Sequence, residues 1–210
     1  MVRAQVPLQH RPNVDRWSAA GWPAVVRQRE PDCPAQKSCL GLALPPDPIS
    51  GIKHRLPLQI DTDLLVRIQP PRTLRSVLTM APQVWQRDLS ALDEEFAALG
   101  LTAQVFGSLA SQAVTGLVFL RTGSDIDLLV NPATDRQLDG AIATFNRFAG
   151  RLPLDGEVVF PCGAAVAFKE WCNAAREMVP SRVLAKRHGG VALLPSDGLL
   201  ASLKFASCCL

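Results

Sequence analysis

The sequence has few of the residues that usually mark a metal–thiolate centre or a histidine-activated nucleophile. Its three histidines, His10, His54 and His188, are scattered. The six cysteines, Cys33, Cys39, Cys162, Cys172, Cys208 and Cys209, form no Cys-x-x-Cys pair and have no histidine at zinc-ligand spacing. A zinc site is therefore not expected, and Cys162 lacks a histidine partner that would activate it as a nucleophile. No basic start, apolar core and small-residue cleavage site open the chain. The expectation is a cytoplasmic protein with reduced thiols, in which Cys208-Cys209 belongs to an exposed tail. No internal repeat is visible, and nothing is of low complexity beyond the prolines. One uncharged stretch, residues 97–120, is long enough to span a bilayer. Gln104, Ser108, Ser111, Gln112, Thr115 and its glycines would cost too much in hydrocarbon, so it reads as core plus a polar loop, with no membrane partner. The net charge of +3 is modest, and no dense basic stripe of the kind a duplex nucleic-acid binder needs is present.

Hydrophobic residues make up 48% of the 210, enough for a sizeable core. Charge and proline divide the chain. Residues 1–80 hold 11 Lys+Arg against 6 Asp+Glu and 11 of the 17 prolines; residues 81–210 hold 11 against 13. A basic first half suits an acidic partner or a polyphosphate ligand. It reads as a strand-rich N-terminal domain over 1–80, with short strands at 24–29, 39–44 and 55–60 and no long helical period. The second domain, 81–210, changes style. Trp85, Leu89, Leu92, Phe96 and Leu99 recur at helical spacing, with Pro82 at the start and Gly100 at the stop. A short strand follows at 102–106, a short helix at 109–114 and a strand at 125–130. Thr134 and Gln137 resemble a capping box before a helix that shows Leu138, Ile142, Phe145 and Ala149 on one face. Strands at 157–160 and 164–168, then a pair at 182–186 and 191–194 around Gly189-Gly190, complete the chain. Helices and strands mix without strict alternation, which predicts an α+β fold: a mixed sheet with helices on one face.

The chemistry concentrates in Ser124-Asp125-Ile126-Asp127-Leu128-Leu129-Val130. In a strand, side chains alternate, so Asp125 and Asp127 share one face while Ile126 and Leu128 point into the core. Two neighbouring carboxylates repel, and a divalent cation offsets that cost. Oxygen donors alone favour Mg2+ or Mn2+ over zinc. Upstream, Phe106-Gly107-Ser108 is a strand, a glycine turn and a helix start. Free backbone N–H groups, the positive helix end and the serine hydroxyl make an anion site there, and glycine admits a phosphate to the backbone. A phosphate cradle beside a metal clamp is what phosphoryl or nucleotidyl transfer requires.

This combination resembles the DNA polymerase β-type nucleotidyltransferase superfamily. Sixteen residues separate Ser108 from Asp125, longer than in its minimal members. Phe106-Gly107-Ser108-Leu109-Ala110-Ser111-Gln112-Ala113-Val114-Thr115-Gly116-Leu117 ahead of Ser124-Asp125-Ile126-Asp127-Leu128-Leu129 is similar to the phosphoribosyl-dephospho-CoA transferase family of malonate decarboxylase, also called malonate decarboxylase holo-acyl-carrier-protein synthase. So is the stretch from Asp155-Gly156-Glu157-Val158 through Pro161-Cys162-Gly163 to Phe168-Lys169-Glu170-Trp171, and more loosely Trp22-Pro23-Ala24-Val25-Val26-Arg27 and Leu40-Gly41-Leu42-Ala43-Leu44-Pro45-Pro46. The resemblance implies transfer of a phosphoribosyl-dephospho-CoA group from its triphosphate precursor, triphosphoribosyl-dephospho-CoA, to a serine of the malonate decarboxylase acyl-carrier-protein subunit, with pyrophosphate leaving.

On this reading Asp125 and Asp127 bind the metal. Glu157 is the third carboxylate, either a further metal ligand or the base that takes the serine proton. Gly107 and Ser108 hold the triphosphate, and Lys186 and Arg187, at a hairpin, are placed to neutralise phosphate. Lys169, beside Trp171, is a weaker candidate for ligand contact. Two alternatives stay open from the residues alone: a nucleotidyltransferase that attaches AMP to protein or RNA, and a nucleotide-binding module without turnover.

Overall fold

The computed structural model describes residues 6–30, 32–174, 181–187 and 190–206. Cys208-Cys209 and the Gly189 turn position lie outside the described residues. The chain divides into two compact units, one of Met1–Pro70 with Ser111–Phe119 and one of Pro71–Ala110 with Leu120–Leu210.

The first unit is a helix and a three-stranded antiparallel sheet of order β1-β2-β3, with β1 at Val25–Val26, β2 at Lys37–Ala43 and β3 at Arg55–Asp61. The register sets Leu40 opposite Leu58 and Leu42 opposite Leu56. These four leucines form a core with Val14, Trp17 and Phe119. Helix α1 (Arg11–Ala19) was not expected from the sequence. Its buried stripe is only Val14 and Trp17, one turn apart, too short a period to stand out. Pro12 sits in its first turn, where a missing N–H costs nothing. Arg29 donates to the carbonyls of Cys33, Pro34 and Lys37, so one of the cations of the basic half is spent on holding a loop. Cys33 and Cys39 are buried, and a hydrogen bond between their thiols, then burial, pushes the Cys33 thiol above its ordinary range.

The second unit is a seven-stranded sheet of order β10-β9-β8-β7-β6-β5-β4. Its strands are β4 (Arg72–Thr73), β5 (Gln104–Val105), β6 (Ile126–Val130), β7 (Leu154–Val159), β8 (Ala165–Ala167), β9 (Arg182–Arg187) and β10 (Gly190–Pro195). All neighbours are antiparallel except β6 and β7. A parallel pair needs a crossover, and helix α4 (Asp135–Phe148) supplies it. Thr134 caps α4 by accepting from the Gln137 N–H at 3.2 Å, and the Gln137 side chain reaches back to the Ala133 N–H at 2.9 Å. The capping box thus closes one residue earlier than its usual form. The buried face of α4 is Leu138, Ala141, Thr144, Phe145 and Phe148, while Ala149 is exposed.

Helix α2 (Gln83–Ala98) starts after Pro82 and stops before Gly100, whose φ of 71° suits glycine. It buries Leu89, Leu92 and Phe96 as the heptad-like spacing predicts, and also Asp93, which accepts from Arg75 Nε at 2.9 Å. Phe145 of α4 packs edge-on against Phe96 of α2 and stacks on Phe168 of helix α5 (Phe168–Ala174). Helix α6 (Ser196–Ala206) buries Leu199 and Leu203 and packs against α4 and β10. Helices α2, α4, α5 and α6 therefore gather on one sheet face, the face of Ile126, Leu128 and Val130, giving the expected α+β architecture. No helix among the described residues is long and apolar enough to cross a membrane.

Candidate functional site

The site grows from the strand that carries the two aspartates. β6 begins at Ile126, so Asp125 stands exposed at its entrance rather than within it. Ser124 is buried and does structural work: its hydroxyl accepts from the Arg121 N–H at 2.9 Å and its own N–H returns to the Arg121 carbonyl. That turn fixes the approach to the strand. Along β6, Ile126, Leu128 and Val130 are buried and Asp127 and Leu129 half-buried, the alternation of a strand with one face in the core.

The Gly107-Ser108 turn is brought to Asp127 by the sheet. β5 pairs with β6, Gln104 opposite Leu129 and Val105 opposite Leu128, and the Phe106 N–H donates to the Asp127 carbonyl at 3.1 Å. The chain then turns at Gly107 with φ 65° into helix α3 (Gly107–Thr115). A Cβ at position 107 would lie 1.8 Å from Asp127 Oδ2 and 2.6 Å from its Cγ. Glycine is thus required twice, for the left-handed backbone and for the carboxylate packed against it. The two motifs, separated by 16 residues in sequence, meet in space.

Parallel pairing extends the carboxylate face onto β7. Asp127 registers with Asp155, and Leu129 with Glu157. Residues in register share a face, so Asp155 stands beside Asp127 and Glu157 one pleat further along. Asp155 is not among the residues the sequence singles out, because the strand it predicts, 157–160, starts two residues after it. In fact β7 starts at Leu154. Gly156 belongs in the strand because the ring of Phe145 occupies its Cβ position, with a Cβ there only 2.5 Å from Phe145 Cε1. The signal was present as a second pair of acids two residues apart, Asp155 and Glu157, repeating the spacing of Asp125 and Asp127.

Glu157 is engaged within the protein. Its carboxylate forms an ion pair with the Lys186 ammonium of β9. The intervening strand β8 offers Ala167 opposite Glu157 and Ala165 opposite Lys186, and these small side chains leave the lysine room to reach across. Lys186 therefore joins the carboxylate face, whereas Arg187, its neighbour in β9, falls on the opposite face by strand alternation. Lys169 is exposed, with its ammonium 5.6 Å from the centre of the Phe168 ring. Cys162 is an exposed free thiol in the turn between β7 and β8. Among the described residues, no three His, Cys, Asp or Glu side chains converge closely enough to hold a metal by themselves. The donors present are carboxylate oxygens, and two carboxylates suit Mg2+, which takes its remaining ligands from water and substrate phosphate.

The mixed sheet thus sets a glycine-serine turn and a row of carboxylates side by side. The model of the phosphoribosyl-dephospho-CoA transferase MdcG N-terminal domain matches residues 1–71, and that of the C-terminal domain matches residues 73–197. A phosphoribosyl-dephospho-CoA transferase of Xanthomonas campestris pv. campestris (strain 8004) is 35% identical over 205 residues, covering 94% of this chain and 92% of that protein. Proteins of the same name from Xanthomonas euvesicatoria pv. vesicatoria (strain 85-10) and Bradyrhizobium diazoefficiens are 35% and 32% identical, covering 90% and 82% of this chain and 86% and 77% of their own lengths. No solved structure matches the chain. The chain belongs to the phosphoribosyl-dephospho-CoA transferase MdcG family.

Proposed function

We propose that the protein transfers the 2′-(5″-phosphoribosyl)-3′-dephospho-CoA group from 2′-(5″-triphosphoribosyl)-3′-dephospho-CoA to a serine of the malonate decarboxylase acyl-carrier-protein subunit, in the cytoplasm. Family membership supports the transferase reading. The contact of Gly107 with Asp127, beside a second row of carboxylates, carries the chemical one. The serine oxygen forms a bond to the phosphorus next to the ribose, the bond from that phosphorus to the pyrophosphate oxygen breaks, and pyrophosphate leaves. The N–H groups at the start of α3 and the Ser108 hydroxyl take the phosphate oxygens. Asp125 and Asp127 would hold Mg2+ or Mn2+. When bound, the metal neutralises charge building on the phosphates and leaving group. The serine proton passes to a carboxylate on the same face. Asp155, in register with Asp127, and Glu157, held by Lys186, compete for that role. Lys186 thereby acts through Glu157, and Arg187 drops to a minor position.

The test incubates labelled triphosphoribosyl-dephospho-CoA with apo carrier subunit, with and without Mg2+, and reads intact mass. A metal-dependent gain equal to the prosthetic group on serine is the expected result. Transfer from ATP instead would replace the substrate and leave the site chemistry. Running Asp155→Asn and Glu157→Gln in the same assay assigns the base: the variant with the larger fall in kcat, and with the acid-side limb of the pH profile removed, marks it.

A further inference from the structure

The far end of the sheet is unlike the rest of its surface. In the β9–β10 hairpin, Leu184 registers with Leu193 and Lys186 with Val191, so Leu184, Leu193 and Val191 lie together on the carboxylate face. They are 53%, 52% and 56% exposed, while Val183 and Ala185, on the other face, are fully buried. β10 ends the sheet, and its six residues, Gly190 to Pro195, include no charge. Sheet edges are usually guarded by charge, and this one is apolar and, among the described residues, pairs with no further strand. On this face the hairpin strands carry two cations, Arg182, which donates to the Leu193 carbonyl at 2.9 Å, and Lys186; neither strand contains an acid, and Arg187 lies on the opposite face. Glu170 comes near, but its carboxylate is taken by the Leu184 N–H at 3.1 Å. The patch is continuous with the site, because Lys186 at its margin is the partner of Glu157.

We propose that this hairpin is where the acceptor protein docks, an apolar surface with an acidic rim settling on Leu184, Val191 and Leu193 with Arg182 beside them. The proposal rests on the transfer reading above. Size and charge select the occupant. Three side chains and one strand edge bury far less than the roughly 800 Å² that each partner of a stable complex gives up, which suits a protein substrate that must leave after each turnover. A second copy of this chain is disfavoured, since a two-fold contact would bring Arg182 of both copies onto a patch whose strands offer no acid. Nearness to Glu157 places an acceptor seated here at the carboxylate face.

Val191→Glu with Leu193→Glu, and the milder Val191→Ser with Leu193→Ser, test it on the full chain with purified apo carrier subunit. Both sites are exposed, and thermal melting confirms that each variant folds. The glutamate pair is expected to raise KM for the carrier and weaken direct carrier binding by about tenfold or more, as loss of a contact cluster does. The serine pair does so less, and affinity for the nucleotide precursor stays unchanged in both. An unaltered carrier KM overturns the proposal, and so does an equal loss of precursor affinity. A wild-type dimer that the glutamates make monomeric, with carrier KM unchanged, assigns the patch to a second copy instead. Wild-type protein that binds apo carrier through the hairpin yet transfers nothing would end the transfer reading and leave the docking surface. Wild-type protein that does not bind carrier at all would end the docking proposal.

Discussion

On one face of the seven-stranded sheet, Ile126, Leu128, Val130, Leu154, Val158 and Val166 lie buried under helices, and Gly156 makes way for the Phe145 ring. On the other, the same strands present Asp127, Asp155 and Glu157, half-buried, with Lys186 reaching in from β9. One backbone serves both faces because successive side chains point in opposite directions. The apolar face gains free energy by leaving water. The acidic face holds carboxylates in a row at strand spacing, and those charges repel unless a cation or a donor stands among them. Lys186 meets that need at Glu157, and on the proposed reading a metal would join Asp125 and Asp127. On the proposed mechanism stability belongs to one face and chemistry to the other, and substitutions should separate the two.

Replacing Asp127 with alanine is the sharpest way to break this division. We expect transfer to fall by roughly a thousandfold or more, the scale of losing a preorganised electrostatic contact in a transition state, with melting temperature nearly unchanged. Substantial transfer by a folded Asp127→Ala protein would remove the acidic face from the chemistry. Gly107→Ala probes the joint between the motifs. Its Cβ would overlap Asp127 Oδ2, at a φ of 65° that also strains an alanine by about 1–2 kcal/mol. Carboxylate and turn must move apart, so a fall in kcat of about tenfold to a hundredfold is expected beside that modest loss of stability. If only stability changes, the close approach has no part in turnover.

Gly156→Ala is the mirror experiment, on the opposite face of the neighbouring strand. The added methyl meets Phe145 at 2.5 Å, and overpacking of this kind costs about 1–3 kcal/mol, read by chemical denaturation. Activity per folded molecule should hold within about twofold if the two faces are independent. A large loss of kcat would mean that Phe145 and α4 also set the register of Asp155 with Asp127. The smallest effect is expected in the first unit, remote in role from both faces. There the Asp47 carboxylate accepts from the Ser50 N–H and hydroxyl and from the Ile49 N–H, and these bonds, led by the Ser50 backbone, hold its pKa below the ordinary carboxylate value. Because the folded value is the lower one, its stabilisation is complete above the unfolded carboxylate range and fades as pH falls through the folded value. Asp47→Asn should lower the melting temperature slightly at neutral pH and not at all in acid. An equal drop at both would show that charge is not what the turn uses.

Legibility in the sequence followed the length and regularity of each element. Helix α2 was readable from Trp85 to Leu99 because five apolar residues keep one face for four turns. Strand β6 was readable because aspartates alternate with core residues. Helix α1, with two buried side chains, and the first half of β7, ahead of Glu157 and interrupted by Gly156, were not, since the partner that makes each pattern sensible lies elsewhere in the chain. The stripe of α4 also drifted, to Ala141, Thr144 and Phe148, because the helices packed around it choose which small and polar residues go inside.

Local chemistry alone determined which groups this protein can bring to bear: the carboxylates of Asp125 and Asp127, the glycine-serine turn that suits phosphate, and the α+β character of the second half. These depend on residue type and on spacings of two or a few residues, which the covalent chain imposes. Tertiary structure decided which of those groups meet. It set Asp155 beside Asp127 through a parallel register, bound Glu157 to Lys186 across an alanine strand, turned Arg187 to the other face and put the uncharged β10 at the end of the sheet. Such choices depend on strand order and register, and those are settled by the packing of residues far apart in sequence.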